Sequence, residues 1–156
     1  MDRRDLIKIG AGAVVAAKLA SAQGPHKFFT PEEYAVVDEL SEIIIPTDEK
    51  SPGAKAAKVA DYIDARLAEA FEQIERDDFR AGLKIFVDTP PGQRLALLTK
   101  AAANEKRPQT PEETFFRLLK EHTIRGYYTS KVGIHDDLEY KGNTIQSGDY
   151  AGFLPS

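Results

Sequence analysis

The sequence predicts an all-α protein, a single bundle of about five helices followed by an irregular tail rich in aromatic residues and glycine. Three observations carry this. Apolar residues recur at three- and four-residue spacing through most of the chain. The helix-start signal Thr-Pro-Glu-Glu occurs twice. No long stretch alternates apolar with polar residues, as a half-buried strand would.

The first helix starts at Phe29-Thr30-Pro31-Glu32-Glu33. Thr30 suits the cap, Pro31 the first helical position, and Glu33 the far side of a capping box. Phe29 and Tyr34 stand where a hydrophobic staple would. Val36, Val37, Leu40, Ile43 and Ile44 then share one face, and Pro46 ends the run. Ile43-Ile44-Ile45 alone could be a strand, but the spacing upstream favours a helix end. A loop with two prolines, Pro46 to Gly53, leads to a second helix starting between Ala54 and Asp61. Its expected apolar face is Val59, Tyr62, Ile63, Leu67, Ala70, Phe71 and Ile74. A third, shorter helix carries Phe79, Leu83, Phe86 and Val87. Thr89-Pro90-Pro91 starts a fourth, with Leu95, Leu97, Leu98 and Ala101 inward. After a polar linker, Asn104 to Gln109, the second Thr-Pro-Glu-Glu opens a fifth helix reaching about Tyr128, with Phe115, Phe116, Leu118, Leu119 and His122. From Lys131 the helical period is lost, and 131–156 reads as an extended tail.

Residues 1–22 read as an export leader and 23–156 as the folded domain. Arg3-Arg4 with Leu6 and Lys8 resembles a twin-arginine start. An apolar run follows, and Ala20-Ser21-Ala22 places small residues where a signal peptidase reads them. Lys18 breaks the run well short of the roughly 20 residues a membrane span needs. Gly10-Ala11-Gly12 is no dinucleotide loop, because Val15 fills the third small-residue site and no strand precedes it. The expected location is the periplasm. A leader for folded cargo suits a partner that acquires a buried cofactor before export.

The net charge is −4, but the leader is basic. Removing its four basic and two acidic side chains from 21 and 25 leaves 17 and 23, so the body carries −6. An acidic body without a basic stripe argues against nucleic acid. The absence of cysteine excludes disulfides, cysteine-held iron–sulfur clusters and covalent haem in this chain.

Candidate chemistry is sparse. His26 lies just past the leader, His122 suits a core edge, and His135-Asp136-Asp137 has no further ligand at a metal-site spacing. The carboxylate pairs Glu32-Glu33 and Glu112-Glu113 follow cap residues and suit helix N-termini. No catalytic, cofactor-binding or metal-binding residue is expected. The aromatics beside flexible backbone (Tyr127, Tyr128, Tyr140, Tyr150 and Phe153) suit a partner interface; the alternative is that these rings fold back on the chain's own bundle.

Two groups of short motifs carry a family likeness. One is Ile43-Ile44-Ile45-Pro46-Thr47-Asp48 with Ser51-Pro52-Gly53-Ala54. The other is Gly126-Tyr127-Tyr128-Thr129-Ser130, Gly133 and Tyr140-Lys141-Gly142-Asn143. In order and spacing they resemble the gluconate 2-dehydrogenase subunit 3 family. The resemblance implies a non-catalytic small subunit beside a large FAD-dependent dehydrogenase of the glucose–methanol–choline type. It would support that partner's folding, twin-arginine export and stability. The cofactor would be FAD in the large subunit, with haem c or an iron–sulfur cluster as further partner-borne groups. A cytochrome c subunit often accepts the electrons, and membrane association would come only through the complex. Substrates across the family include gluconate, glucose, fructose and glycosides oxidised at the 3-position. Gly133-Ile134 to Asp137-Leu138 is most similar to the glycoside-oxidising branch. The implied interface is Pro46, Pro52, Gly53, Tyr127, Tyr128, Tyr140, Gly142, Asn143, Tyr150 and Phe153. The competing readings are a free periplasmic binding or scaffold module, and an enzyme using His122, His135 or Asp136.

Overall fold

The computed structural model describes residues 26–70 and 72–140. Among these residues five α-helices run in order: α1 Pro31–Ile44, α2 Val59–Glu69, α3 Gln73–Val87, α4 Pro91–Ala102 and α5 Pro111–Tyr128. A π-helical turn, Val132–Asp137, follows. Among the described residues there is no strand, and the all-α bundle is what the sequence predicts.

The start of α1 forms as its sequence dictates. Thr30 Oγ1 accepts the Glu33 N–H at 3.2 Å, and Glu33 Oε2 accepts the Thr30 N–H at 2.9 Å. The second Thr-Pro-Glu-Glu caps differently. Glu113 accepts the Thr110 N–H at 3.3 Å, the Gln109 N–H at 2.7 Å and the Asn104 amide at 2.7 Å. The Thr110 hydroxyl is buried without a partner among the described residues. One carboxylate therefore gathers the whole 104–110 turn onto α5.

The centre of the bundle is α3 against α5, its most extensive contact. Phe79 and Phe115 meet edge to face with centroids 4.9 Å apart, and Phe86 lies 5.1 Å from Phe115. All three rings are fully buried. Such pairs add about 0.5–1.5 kcal/mol each beyond the area they bury. Gly82 permits the approach, because a Cβ there would stand 2.2 Å from Phe115 Cβ and 2.5 Å from the Pro111 carbonyl. Val36, Val37 and Leu40 of α1 and Ile63 and Leu67 of α2 complete the core.

Several sequence expectations are corrected. The second helix stops at Glu69, so Ala70 only terminates it, and Phe71 lies outside the described residues. Ile74 belongs to α3 and is 75% exposed. It precedes Phe79 by five residues, which turns it about 140° from the buried stripe. The third helix is longer than the second, not shorter. Leu95 is 58% exposed at the edge of the α4 stripe, whose buried residues are Leu98 and Ala101. The stretch read as irregular from Lys131 begins with the π-helical turn. No helix among the described residues is long and apolar enough to cross a membrane.

Helix propensity alone would make Gly82→Ala stabilising by about 1 kcal/mol. The backbone and Cβ atoms that a methyl would meet reverse the sign. We expect a net loss of about 2 kcal/mol in urea unfolding, the ordinary cost of overpacking.

Candidate functional site

The Pro46–Gly53 loop is held from three directions. Glu42, near the end of α1, accepts the Thr47 N–H at 3.0 Å and hydroxyl at 2.8 Å on one oxygen, and the Lys55 N–H at 2.9 Å on the other. Burial alone would raise this carboxyl, but those hydrogen bonds outweigh it and hold it below the usual glutamate range. Thr47 Oγ1 in turn accepts the Gly53 N–H at 2.9 Å. A Cβ on Gly53 would stand 2.4 Å from a Glu42 oxygen. Asp48 closes a turn by accepting the Lys50 and Ser51 N–H groups, both at 2.8 Å. From α5, the Tyr127 hydroxyl donates to the Pro52 carbonyl at 2.6 Å and bonds the Ser51 hydroxyl.

This changes the reading of the expected interface residues. Tyr127 is fully buried and Gly53 is buried, so neither is an anchor presented to a partner. The Tyr127 ring belongs to the bundle's own core, and its hydroxyl is spent on the loop. Pro52 is half-buried and contributes its carbonyl to that bond, while Pro46 is exposed. Tyr128 is 42% exposed and Tyr140 51% exposed. Gly142, Asn143, Tyr150 and Phe153 lie outside the described residues, as do the leader positions Arg3, Arg4, Leu6, Lys8, Ala20 and Ala22.

A surface missed in the sequence lies between the end of α1, α4 and α5. It is an apolar groove of about 310 Å³ lined by Ile43, Ile44, Leu95, Leu98, Ala102 and Phe116. Ile43 is 36% and Leu95 58% exposed. Lys120 also lines it, and is held by both oxygens of Glu105 at 2.7 and 2.8 Å. Arg94 of α4 pairs with Glu39 of α1 at 2.6 Å. Along α5, Phe116, Lys120, Ile124 and Tyr128 follow one another every four residues, forming a ridge that leaves the groove toward the π-helical turn. Ile124 within this ridge and Leu138 just after the π-helical turn are 41% and 58% exposed. Both Ile43 and Leu95 fit an inward stripe by spacing; only the gap between the helices makes them a surface.

The buried polar groups serve the fold. His122 Nε2 lies 2.8 Å from Glu75 Oε1 on α3, and its Nδ1 is buried without a partner. Burial lowers its pKa, against the pull of Glu75, so the neutral ring with its proton on Nε2 fits the site. The core-edge expectation for His122 agrees with this placement. His135 and Asp136 are exposed on the π-helical turn. Asp137 sits against the Tyr128 hydroxyl, whose pKa is raised by burial and then by that carboxylate. No group of three metal-ligating side chains occurs among the described residues.

With this geometry in view, the comparison with known families is decisive. The family model for gluconate 2-dehydrogenase subunit 3 matches residues 31–144, and so all five helices. The chain belongs to that family. No curated protein and no solved structure matches the sequence. The two motif groups resembling the subunit 3 family meet physically, because Tyr127 of one fastens Ser51 and Pro52 of the other. The name of the subunit 3 family places its members within a gluconate 2-dehydrogenase complex.

Two outcomes follow. Tyr127→Phe removes only the hydroxyl and should cost about 1–2 kcal/mol in chemical denaturation. It should also speed proteolytic nicking within 46–53. For His122, the folded pKa lies below the ordinary 6.5. Unfolded chains therefore take up the proton first as pH falls, so this stabilising contribution is complete above about 6.5 and lost as pH drops through the folded value. Unfolding measured between pH 7 and 5 should show a shallower pH slope in His122→Gln than in the unaltered chain.

Proposed function

We propose that this chain is the non-catalytic small subunit of a periplasmic FAD-dependent sugar- or glycoside-oxidising complex. Its partner is a large flavoprotein of the glucose–methanol–choline type, and it exports and stabilises that partner. The observation that carries this reading is the apolar groove on a chain of the subunit 3 family. The inward polar side chains support it, since Glu42, Asp64, Glu113 and His122 all bond to the chain's own backbone or side chains.

The mechanism is physical. An apolar element of the large subunit fills the groove and rests along the Phe116–Tyr128 ridge. Binding only the folded partner shifts that partner's folding equilibrium by mass action. A permanent assembly calls for roughly 1,600 Å² or more of buried surface, so the groove would be the centre of a wider contact. FAD and any haem c or iron–sulfur cluster belong to the partner subunits in this reading, and a cytochrome c subunit takes the electrons. The twin-arginine-type leader at 1–22 would carry the assembled pair across the membrane.

The test is co-expression with a large flavoprotein subunit encoded beside this chain, followed by co-purification and affinity measurement. The two should purify together, and Leu95→Glu should weaken association at least about tenfold, near 1.4 kcal/mol, while the exposed site leaves the fold intact. A chain that stays monomeric and leaves the flavoprotein's yield unchanged would instead be a free scaffold module. Turnover of a sugar by the isolated chain would make it an enzyme.

A further inference from the structure

The apolar groove opens at one end into a second depression. Ala102, the last residue of α4, lines the groove and also a hollow of about 610 Å³ whose other walls include Asn104, Glu105, Lys106 and Arg107. Glu105 joins the two, because both oxygens of its carboxylate hold Lys120 of the groove. That pair meets the charge of Lys120 and leaves the groove apolar. Lys106 and Arg107 are different. Both are exposed, and neither side chain makes an ion pair or hydrogen bond among the described residues. The backbone presenting them is nonetheless fixed. Glu113 gathers it through Asn104, Gln109 and Thr110, and the Arg107 N–H donates to the Asn104 carbonyl at 3.0 Å. A ligand meeting these cations would lose little to ordering the turn.

Charge is distributed the same way along the chain. Residues 91–120 hold six basic and three acidic side chains, a surplus of +3. Taken from the body's 17 and 23, they leave 11 and 20, so the rest carries −9. The segment from α4 to the start of α5 is thus cationic on an acidic molecule. Opposite potentials steer a partner and fix its register, and like charges reject other placements. An acidic segment would be repelled over most of this surface and drawn to one end of the groove.

We propose that the occupant of the groove is an amphipathic segment of the large subunit with carboxylates at one end. Its apolar side chains fill the groove, and its Asp or Glu groups lie over Lys106 and Arg107. This rests on the docking reading above and adds the partner's charge and the direction in which it lies. The apolar part supplies the desolvated centre of the contact, and the exposed cations supply approach and register. Lipid phosphates could also meet two free cations. A recess between helices suits inserted side chains better than a bilayer face, and an acidic body is repelled by an anionic leaflet.

The experiment measures affinity and association rate of the full chain with the large flavoprotein subunit encoded beside it. It is run in roughly 0.05 M and 0.5 M sodium chloride, where screening lengths differ about threefold. Lys106→Glu/Arg107→Glu should weaken association about tenfold at low salt, chiefly through a slower on-rate. At high salt the gap should shrink to about threefold or less. Both positions are exposed, so the thermal stability of the isolated chain should not change. Lys58→Glu/Arg66→Glu makes the same charge change at residues lining neither depression. It should alter affinity less than about threefold, since exposed charges beyond a screening length act weakly. Unchanged affinity in Lys106→Glu/Arg107→Glu, or an equal loss in the second variant, would overturn the carboxylate end and leave the groove reading standing. Absence of any complex would overturn both. In parallel, the full chain is floated with phosphatidylglycerol vesicles. Vesicle binding lost in Lys106→Glu/Arg107→Glu while flavoprotein affinity is kept would assign these cations to lipid and overturn the proposal.

Discussion

The bundle depends on how closely α3 approaches α5. Gly82 leaves no side chain at the crossing, and Phe115 fills that space against Phe79 and Phe86. The approach sets the position of the fifth helix, and with it everything that helix carries. Phe116 and Lys120 then fall beside α4, His122 meets Glu75, and Tyr127 reaches the loop after α1. A wider crossing would lose these together, because interiors are close-packed and transmit displacement.

Around that centre, carboxylates act as fasteners. Asp64 holds the 27–29 segment, Glu42 the 46–53 loop, and Glu113 the turn before α5. Each is placed where irregular backbone has amides that no helix satisfies, which is where such groups must find acceptors. A chain with many paired acids thus need not be an acid–base catalyst. These residues form no converging cluster; they sit at separate joints.

Helix starts were readable because their chemistry is local. Thr30 and Glu33 complete a capping box within four residues, and the end of α5 at Tyr128 matches the loss of period beyond it. What failed was whatever depended on neighbours distant in sequence. Ile74 looked like a continuation of α2 because nothing in its spacing reveals that the phase resets near residue 70. Tyr127 looked like an exposed anchor because composition cannot say that its hydroxyl meets a carbonyl 75 residues earlier. Leu95 and Ile43 were read as core for the opposite reason: their stripes are right, yet no helix among the described residues covers them. Asp64 gave no signal at all, since its three partners precede it by 35 to 37 residues.

The Tyr127 fastening also bears on the order in which the molecule matures. Contacts between residues so far apart close late, after nearer segments have organised, because the entropy of the intervening chain must be overcome first. The Pro46–Gly53 loop therefore completes its set of bonds only when α5 has docked and Tyr127 reaches Ser51 and Pro52. Rigidity of that loop is a natural readout of completion, and a partner that touched Pro46 there would sense a finished subunit and pass over an immature one.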